Sequence, residues 1–468
     1  LVAWNTAVSF MTNTNWQAYA GERTLSDLSQ MAALTVQNFL SAATGLATVV
    51  ALARGLARQS SETLGNVWVD LTRSVLYVLV PLAALLAIVL VWQGVPQTLA
   101  GPVLAQTLEG GQQLIVRGPI ASQEAIKLLG ANGGGFFNAN SAHPFENPTA
   151  LTNVLEILAF LALPASLPIA FGDWVGARRQ GWAIWSAMAL LFLVGLSSAY
   201  VFEAAGNPLW TSIPVEGSGL PGNLEGKELR FGLDGSVLFA VATTAVSCGA
   251  VNSAHSSYLP LAGMILVFNM LLGEVVFGGV GVGLAGMLVF VLTAVFIAGL
   301  MVGRTPEYLG KKLGPAEIKL VGLYILIASL AVLVLSGLAA ALPLARRAVG
   351  NPGPHGFTEI VYAYASTVGN NGSAFASLDA AQPFWLWTTG VAMFVGRFPL
   401  LLLVIALAGL LARKRRVPPS LGTLPTDSLL FVLTLVGVVV IVGGLTFFPA
   451  LALGPIIEHI LLRIGRLF

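Results

Sequence analysis

The chain has 468 residues, 56% hydrophobic and only 9% charged, against roughly a quarter charged in soluble domains, which excludes a water-soluble multidomain enzyme. Lys plus Arg (23) nearly balances Asp plus Glu (21), and no block of like charge is longer than Arg413 to Arg416, so no nucleic-acid partner is expected. With 52 Gly and 24 Pro at a mean hydropathy of +0.83, the composition fits an all-α polytopic membrane protein, a transporter or channel in which neighbouring protein satisfies interrupted helices.

Leu1 to Phe10 has neither an initiator Met nor the charged start of a signal peptide, so the chain is expected to begin inside a longer reading frame. A short amphipathic stretch, 3–12, ends in Asn13-Thr14-Asn15 and is followed by Trp16-Gln17. Then come the first two runs able to cross about 30 Å of hydrocarbon, at 31–57 and 64–93. The loop 94–147 repeats the theme, with an amphipathic stretch at 122–130, then Ala131-Asn132-Gly133 and the run Gly134-Gly135-Phe136-Phe137. Spans at 148–172 and 180–204 precede the loop 205–259, in which 235–246 leads to Ser247-Cys248-Gly249, with the only cysteine of the chain. The apolar run 260–303 is too long for one straight crossing. An unwound, pore-facing loop over Gly278 to Gly286, containing Gly279, Gly281 and Gly283, accounts for its length; tight helix packing is the alternative. A span at 318–342 leads to the loop 343–383, where 357–368 runs into Asn370-Asn371-Gly372, and spans at 384–412 and 428–449 complete the count of eight.

The basic connections Arg54/Arg58, Arg178/Arg179, Arg304/Lys311/Lys312 and Arg413 to Arg416 fall on one side of this arrangement, which the positive-inside rule makes cytoplasmic. Arg346, Arg347, Arg463 and Arg466 fall on the other side, so the rule holds as a bias.

Positions 15, 133, 249 and 372 are separated by 118, 116 and 123 residues, and each closes a short polar run between a half-length helix and a full span. Four membrane-pore-membrane repeats around one pore follow, at 1–60, 61–178, 179–314 and 315–416, with a C-terminal span and tail at 417–468. By the measure of the second and third repeats, the first is incomplete, its opening span lying upstream of Leu1. A single Gly- or Asn-containing run reads equally well as a boundary turn; four in one context and at one spacing do not.

The chemistry of these runs is dehydration of a cation. Backbone carbonyls replace a hydration shell when a tight loop turns them toward an axis, and Gly permits the required angles without filling the lumen. The ion-binding candidates are therefore Asn13, Thr14, Asn15, Ala131, Asn132, Gly133, Ser247, Cys248, Gly249, Asn370, Asn371 and Gly372. None is acidic, which favours a monovalent ion, potassium ahead of sodium; the C-terminal ends of the half-helices also favour a cation.

These residues resemble the potassium-binding A subunit of the bacterial Kdp-type potassium-transporting ATPase. The resemblance rests on Thr12 to Gln17, Ala131 to Asn140 leading to His143-Pro-Phe-Glu-Asn-Pro148, Ser247 to Val251, Gly303 to Gly310, Asn351 to Gly356, Asn370 to Ser373, Phe394 to Phe398 and Leu445 to Pro455, nearly the whole chain. It implies a Trk/Ktr/HKT-like fold, residence in the bacterial inner membrane, and a complex with a P-type ATPase B subunit, a C subunit and a small F subunit. It also implies that the third-repeat loop is a gate below the filter. Ala131 stands where the family usually has a hydroxyl and Gly369 where it has a third Asn; neither removes a carbonyl.

No phosphate-binding Gly-x4-Gly-Lys-[Ser/Thr] loop and no Asp-Lys-Thr-Gly phosphorylation motif occur, so the chain is expected to be non-catalytic, with potassium as cargo, no nucleotide or organic cofactor, and ATP hydrolysis on a partner. Gly281-x-Gly283-x-x-Gly286 matches a dinucleotide fingerprint only formally. Glu274 and Arg397 lie in apolar runs and suggest an ion path, Arg397 as a barrier to backflow and Glu274 as a shaper of the cavity, or else a structural pair. Gln17 is expected to influence affinity. His143-x-x-Glu146 and Asn371-Gly-Ser373 read as incidental matches to metal and glycosylation motifs, the first bracing Asn138 and Asn140, and His255, His355 and His459 have no metal-spaced partners. The competing reading is a stand-alone Trk/Ktr-type transporter driven by membrane potential.

Overall fold

Apolar segments in lipid can satisfy their backbone only internally, so they fold as helices. The computed structural model describes residues 1–209, 222–301, 303, 306–418 and 423–466. Short α1 (Val2–Met11) precedes membrane-length α2 (Asp27–Ala57) and α3 (Val67–Trp92). Next come short α4 (Ile120–Leu129), α5 (Ala150–Trp174), α6 (Arg178–Ala204) and short α7 (Gly232–Ala245). They are followed by α8 (Pro260–Leu271), α9 (Val282–Met301), α10 (Pro315–Ala341), α11 (Gly353–Gly369), α12 (Pro383–Arg413) and α13 (Leu429–Arg463). A small antiparallel hairpin, β1 (Val103–Gln106) with β2 (Gln112–Ile115), decorates the loop before α4.

Eight helices among the described residues are long and apolar enough to cross a membrane, one for each predicted run. Two runs end differently from their expectation. The 260–303 run unwinds over 272–281, and Gly283 and Gly286 belong to α9 instead of the loop. Positive φ at Gly273, Glu274, Phe277, Gly278 and Gly281 breaks the helix before the last two glycines, and the apolar Val282 onward then has no reason not to be helical. The last span continues past 449 to Arg463, because a π-helical turn over Ala452–Ile456 absorbs Pro455 and its missing donor.

Helix α12 packs against α1, α2, α10 and α11 and forms part of the wall around the short helices. Helices α3 and α10 turn most of their apolar surface outward, as lipid-facing spans do. All four predicted cytoplasmic connections have residues on one face. Lys311 Nζ donates to the carbonyls of Leu411 (3.1 Å), Lys414 (2.6 Å) and Arg58. Arg178 and Arg179 line the same depression as Glu307, Gly310 and Arg416. Arg304 lies outside the described residues.

Candidate functional site

Helices α1, α4, α7 and α11 end in one way. The N–H of Thr14 donates to Ser9 O (2.9 Å), that of Asn132 to Lys127 O (2.9 Å), that of Cys248 to Thr243 O (3.1 Å) and that of Asn371 to Ser366 O (2.8 Å). The residues just before these donors, Asn13, Ala131, Ser247 and Asn370, have φ of 64°, 46°, 57° and 59°. This is the Schellman termination, in which one left-handed residue reverses the chain. The third residues, Asn15, Gly133, Gly249 and Gly372, are left-handed too, at 54°, 71°, 78° and 95°. Two left-handed residues around an ordinary one swing the peptide planes out of strand-like alternation and allow successive carbonyls to face one way.

The four loops close into a ring. A Cβ on Gly133 would lie 2.1 Å from the carbonyl oxygen of Cys248, one on Gly249 1.9 Å from that of Asn371, and one on Gly372 1.8 Å from that of Thr14. The second loop thus abuts the third, the third the fourth, and the fourth the first. Between the first and second, where Asn15 replaces glycine, side chains make the join: Asn15 Nδ2 donates to Gly133 O (2.8 Å) and Asn13 Nδ2 to Ala131 O (3.0 Å). All twelve predicted ion-binding residues come together here.

Their side-chain N–H groups are committed to the protein, while Asn15 Oδ1 and Asn132 Oδ1 are buried with no donor among the described residues. Asn132 Nδ2 donates to Ser41 Oγ (3.0 Å), Asn370 Nδ2 to Thr14 Oγ1 (2.9 Å) and Met393 O (3.0 Å), and Asn371 Nδ2 to Thr243 O (3.1 Å). Side-chain N–H groups brace the ring, and neutral oxygens, chiefly backbone carbonyls with a second lone pair, are the groups suited to an ion. Ala131 has no polar group to join this bracing and still adopts a left-handed angle, which costs an L-residue about 1–2 kcal/mol. A Cβ on Gly369 would be 3.0 Å from Glu274 Cδ, so the departure at 369 makes room for that carboxylate.

Gln17 sits above the ring and pairs twice with the second loop: its Nε2 donates to Gly135 O (3.1 Å) and its Oε1 accepts from Gly135 N–H (2.9 Å). Behind that loop lies a buried charge cluster that sequence reasoning missed. Lys127 Nζ is 2.6 Å from Glu124 and 2.7 Å from Glu146, and donates to Asn140 Oδ1 (3.1 Å), while Glu146 Oε1 accepts from Phe137 N–H (2.8 Å). Glu156 is buried beside them. Glu146 therefore reaches Asn140 through Lys127, and Asn138 N–H goes to Glu22 instead (3.0 Å). His143 stacks on Phe137 with ring centres 3.6 Å apart, and burial lowers its pKa below the ordinary value. A charged i, i+3 pair on α4 was the available signal, but half-helices rarely bury one.

Beneath the ring is a cavity of about 80 Å³ lined by Ser247, Gly369, Asn370, Gly279, Gly283, Glu274 and Arg397. The carboxylate of Glu274 is buried facing Ser247 and Asn371, and Arg397 Nη2 donates to Ser41 O (2.9 Å). No ion pair joins the two among the described residues. The unwound loop passes directly under the third filter run: Gly278 N–H donates to Ala245 O (3.1 Å), and a Cβ on Gly279 would meet Ser247 Cβ at 3.4 Å. Its far end is wedged against α2, where a Cβ on Gly281 would lie 2.1 Å from Gly45 O.

Comparison with known proteins fits this architecture. The fold is similar to that of the potassium transporter TrkH from Vibrio parahaemolyticus, with a TM-score of 0.52 and 15% identity over 84% of this chain and 75% of that one. Proteins described as the potassium-binding subunit of a potassium-transporting ATPase are far nearer in sequence. That of Methylobacterium nodulans is 58% identical and that of Mesorhizobium japonicum 56% identical, each over 100% of this chain and 81% and 82% of its own length. The family profile described as potassium-transporting ATPase A subunit matches residues 1–460. The chain is a multi-pass membrane protein that belongs to the potassium-transporting ATPase A subunit family.

Proposed function

We propose that this chain is the potassium-selecting, channel-like and non-catalytic subunit of an ATP-driven uptake complex in the bacterial inner membrane. It takes potassium from the extracytoplasmic side into the four-loop ring and passes it to a P-type ATPase B subunit, with C and F subunits completing the assembly. The observation that carries this reading is the ring itself, in which four loops with left-handed first and third residues close on one another, braced by asparagine side-chain N–H groups, so that neutral oxygens surround the place proposed for a cation. In this reading the 272–281 loop gates the cavity, Gln17 tunes affinity through Gly135, and Arg397 opposes return of the ion. The repeats at 1–60, 61–178, 179–314 and 315–416 are the four pore units. Purification through a tag on this chain should bring down a phosphorylatable ATPase subunit, and ATP hydrolysis by that complex should rise with potassium and much less with sodium. Hydrolysis indifferent to both ions would refute the reading.

A further inference from the structure

Asn371, the middle residue of the fourth loop, ends a buried chain of hydrogen bonds that starts outside the ring. Its Oδ1 accepts from Ser373 Oγ and from Ser373 N–H (3.1 Å), Ser373 Oγ meets Tyr362 Oη at 2.7 Å, and Tyr362 Oη meets His255 Nδ1 at 2.6 Å. The direction of this chain is forced. An amide oxygen only accepts, so the Ser373 hydroxyl spends its single proton on Asn371 and must accept from Tyr362. Tyr362 then spends its own proton on Ser373 and must accept from His255, so the imidazole carries its proton on Nδ1. His255 Nε2 is buried without a partner among the described residues, and burial pushes the ring down to about 3, so the ring is neutral and of one tautomer.

The other end of Asn371 reaches a different loop. Its Nδ2 donates to Thr243 O, the same carbonyl that caps α7 by accepting from Cys248 N–H. Its own carbonyl oxygen is the one on which Gly249 leans. The chain from His255 thus fixes one amide plane at the seam between the third and fourth loops. The residue after the third position in the other loops is Trp16, Gly134 or Ala250, so none of them carries a hydroxyl like Ser373 at this place.

We propose that His255 and Tyr362 are positioning residues for ion selection, acting through Ser373 to hold the Asn371 peptide in the ring. This rests on the potassium-selecting role proposed above. The test uses the intact complex purified with its ATPase partner, with ATP hydrolysis measured against potassium, rubidium and sodium. Tyr362→Phe, Ser373→Ala and His255→Leu should each weaken apparent potassium affinity about fivefold to tenfold, as expected for one buried hydrogen bond, and narrow the preference over sodium, with maximal rate retained. His255→Asn can present an N–H near the place of Nδ1–H and should recover most of the loss. Tyr362→Phe combined with His255→Leu should be no worse than either alone, since both cut one chain. The proposal is overturned if the single variants keep the wild-type ion preference, if their effects multiply, or if Asn at 255 is no better than Leu. Should Leu at 255 block assembly, Ser373→Ala decides the matter, because it removes a single oxygen; unchanged affinity there refutes the chain. A wild-type complex indifferent to potassium would instead refute the function on which the proposal rests.

Discussion

Gly249 lies so close to Asn371 that a methyl group on its α-carbon would stand 1.9 Å from that residue's carbonyl oxygen. The same relation holds between Gly372 and Thr14, at 1.8 Å. Neither carbonyl can retreat without leaving the ring, and both glycines are left-handed. Gly249→Ala or Gly372→Ala should therefore lower apparent potassium affinity more than tenfold in uptake assays, with the complex still assembled. Gly322→Ala, on α10 with nothing within 4 Å of the new methyl, should leave uptake at wild-type level.

Ala131 bears a left-handed angle of 46° at the end of α4. Ala131→Gly relieves that penalty and should raise the stability of the purified protein by about 1 kcal/mol, read as a higher midpoint in a thermal melt. A lower midpoint would mean that packing of the buried methyl outweighs the backbone term.

Among the described residues, Lys127 is the one cation paired with Glu124 and Glu146, with Glu156 buried nearby. Lys127→Met leaves these acids uncompensated and should cost about 3–5 kcal/mol, visible as poor recovery of folded protein at neutral pH. The deficit should be smaller at pH 7 than at pH 9, because burial raises the Glu124 pKa to about 8 and its carboxyl takes up a proton as the pH falls below that. Equal recovery of variant and wild type at pH 8 would show that the cluster is not held by its lysine.

Lys311 donates to three carbonyls at the ends of α2 and α12, matching the three N–H bonds of an ammonium group with two helix C-termini. Lys311→Met should lower stability by about 2–3 kcal/mol, with ion preference unchanged, because the ring meets these helices at Ser41 and Met393, several turns from the ends that Lys311 holds. A thermal melt and a sodium competition assay on the same preparation check both halves.

Arg397 lines the cavity under the ring. Arg397→Met should alter ion flux and apparent affinity together, by several-fold, if its charge opposes return of the ion; unaltered flux and affinity would remove that role.

The spans were legible in the sequence because lipid demands long apolar runs, and the four loops because their polar triplets recur between such runs. Helix breaks were less legible. The break in the 260–303 run depends on Glu274 and Phe277 taking left-handed angles, which neither residue type signals, and so the loop starts earlier than its glycines suggest. The turn that carries α13 past Pro455 likewise depends on π-helical hydrogen bonding that composition does not encode. In the site, the triplets could be found but not how they interlock, since the joins between Gly133 and Cys248 or Gly249 and Asn371 are backbone contacts across more than 100 residues. Lys127 with Glu146, and His255 with Tyr362, were invisible for the same reason: each pair is made by the fold and not by spacing.

The sole cysteine, Cys248, is wholly enclosed beside the ring. Thiol-directed probes should find nothing to modify within residues 1–468 of the folded protein. Any cysteine engineered on a lipid-facing helix or in an outer loop would then be labelled alone, so fluorescent or spin-label reporters can be placed one at a time without first stripping the chain of sulfhydryls.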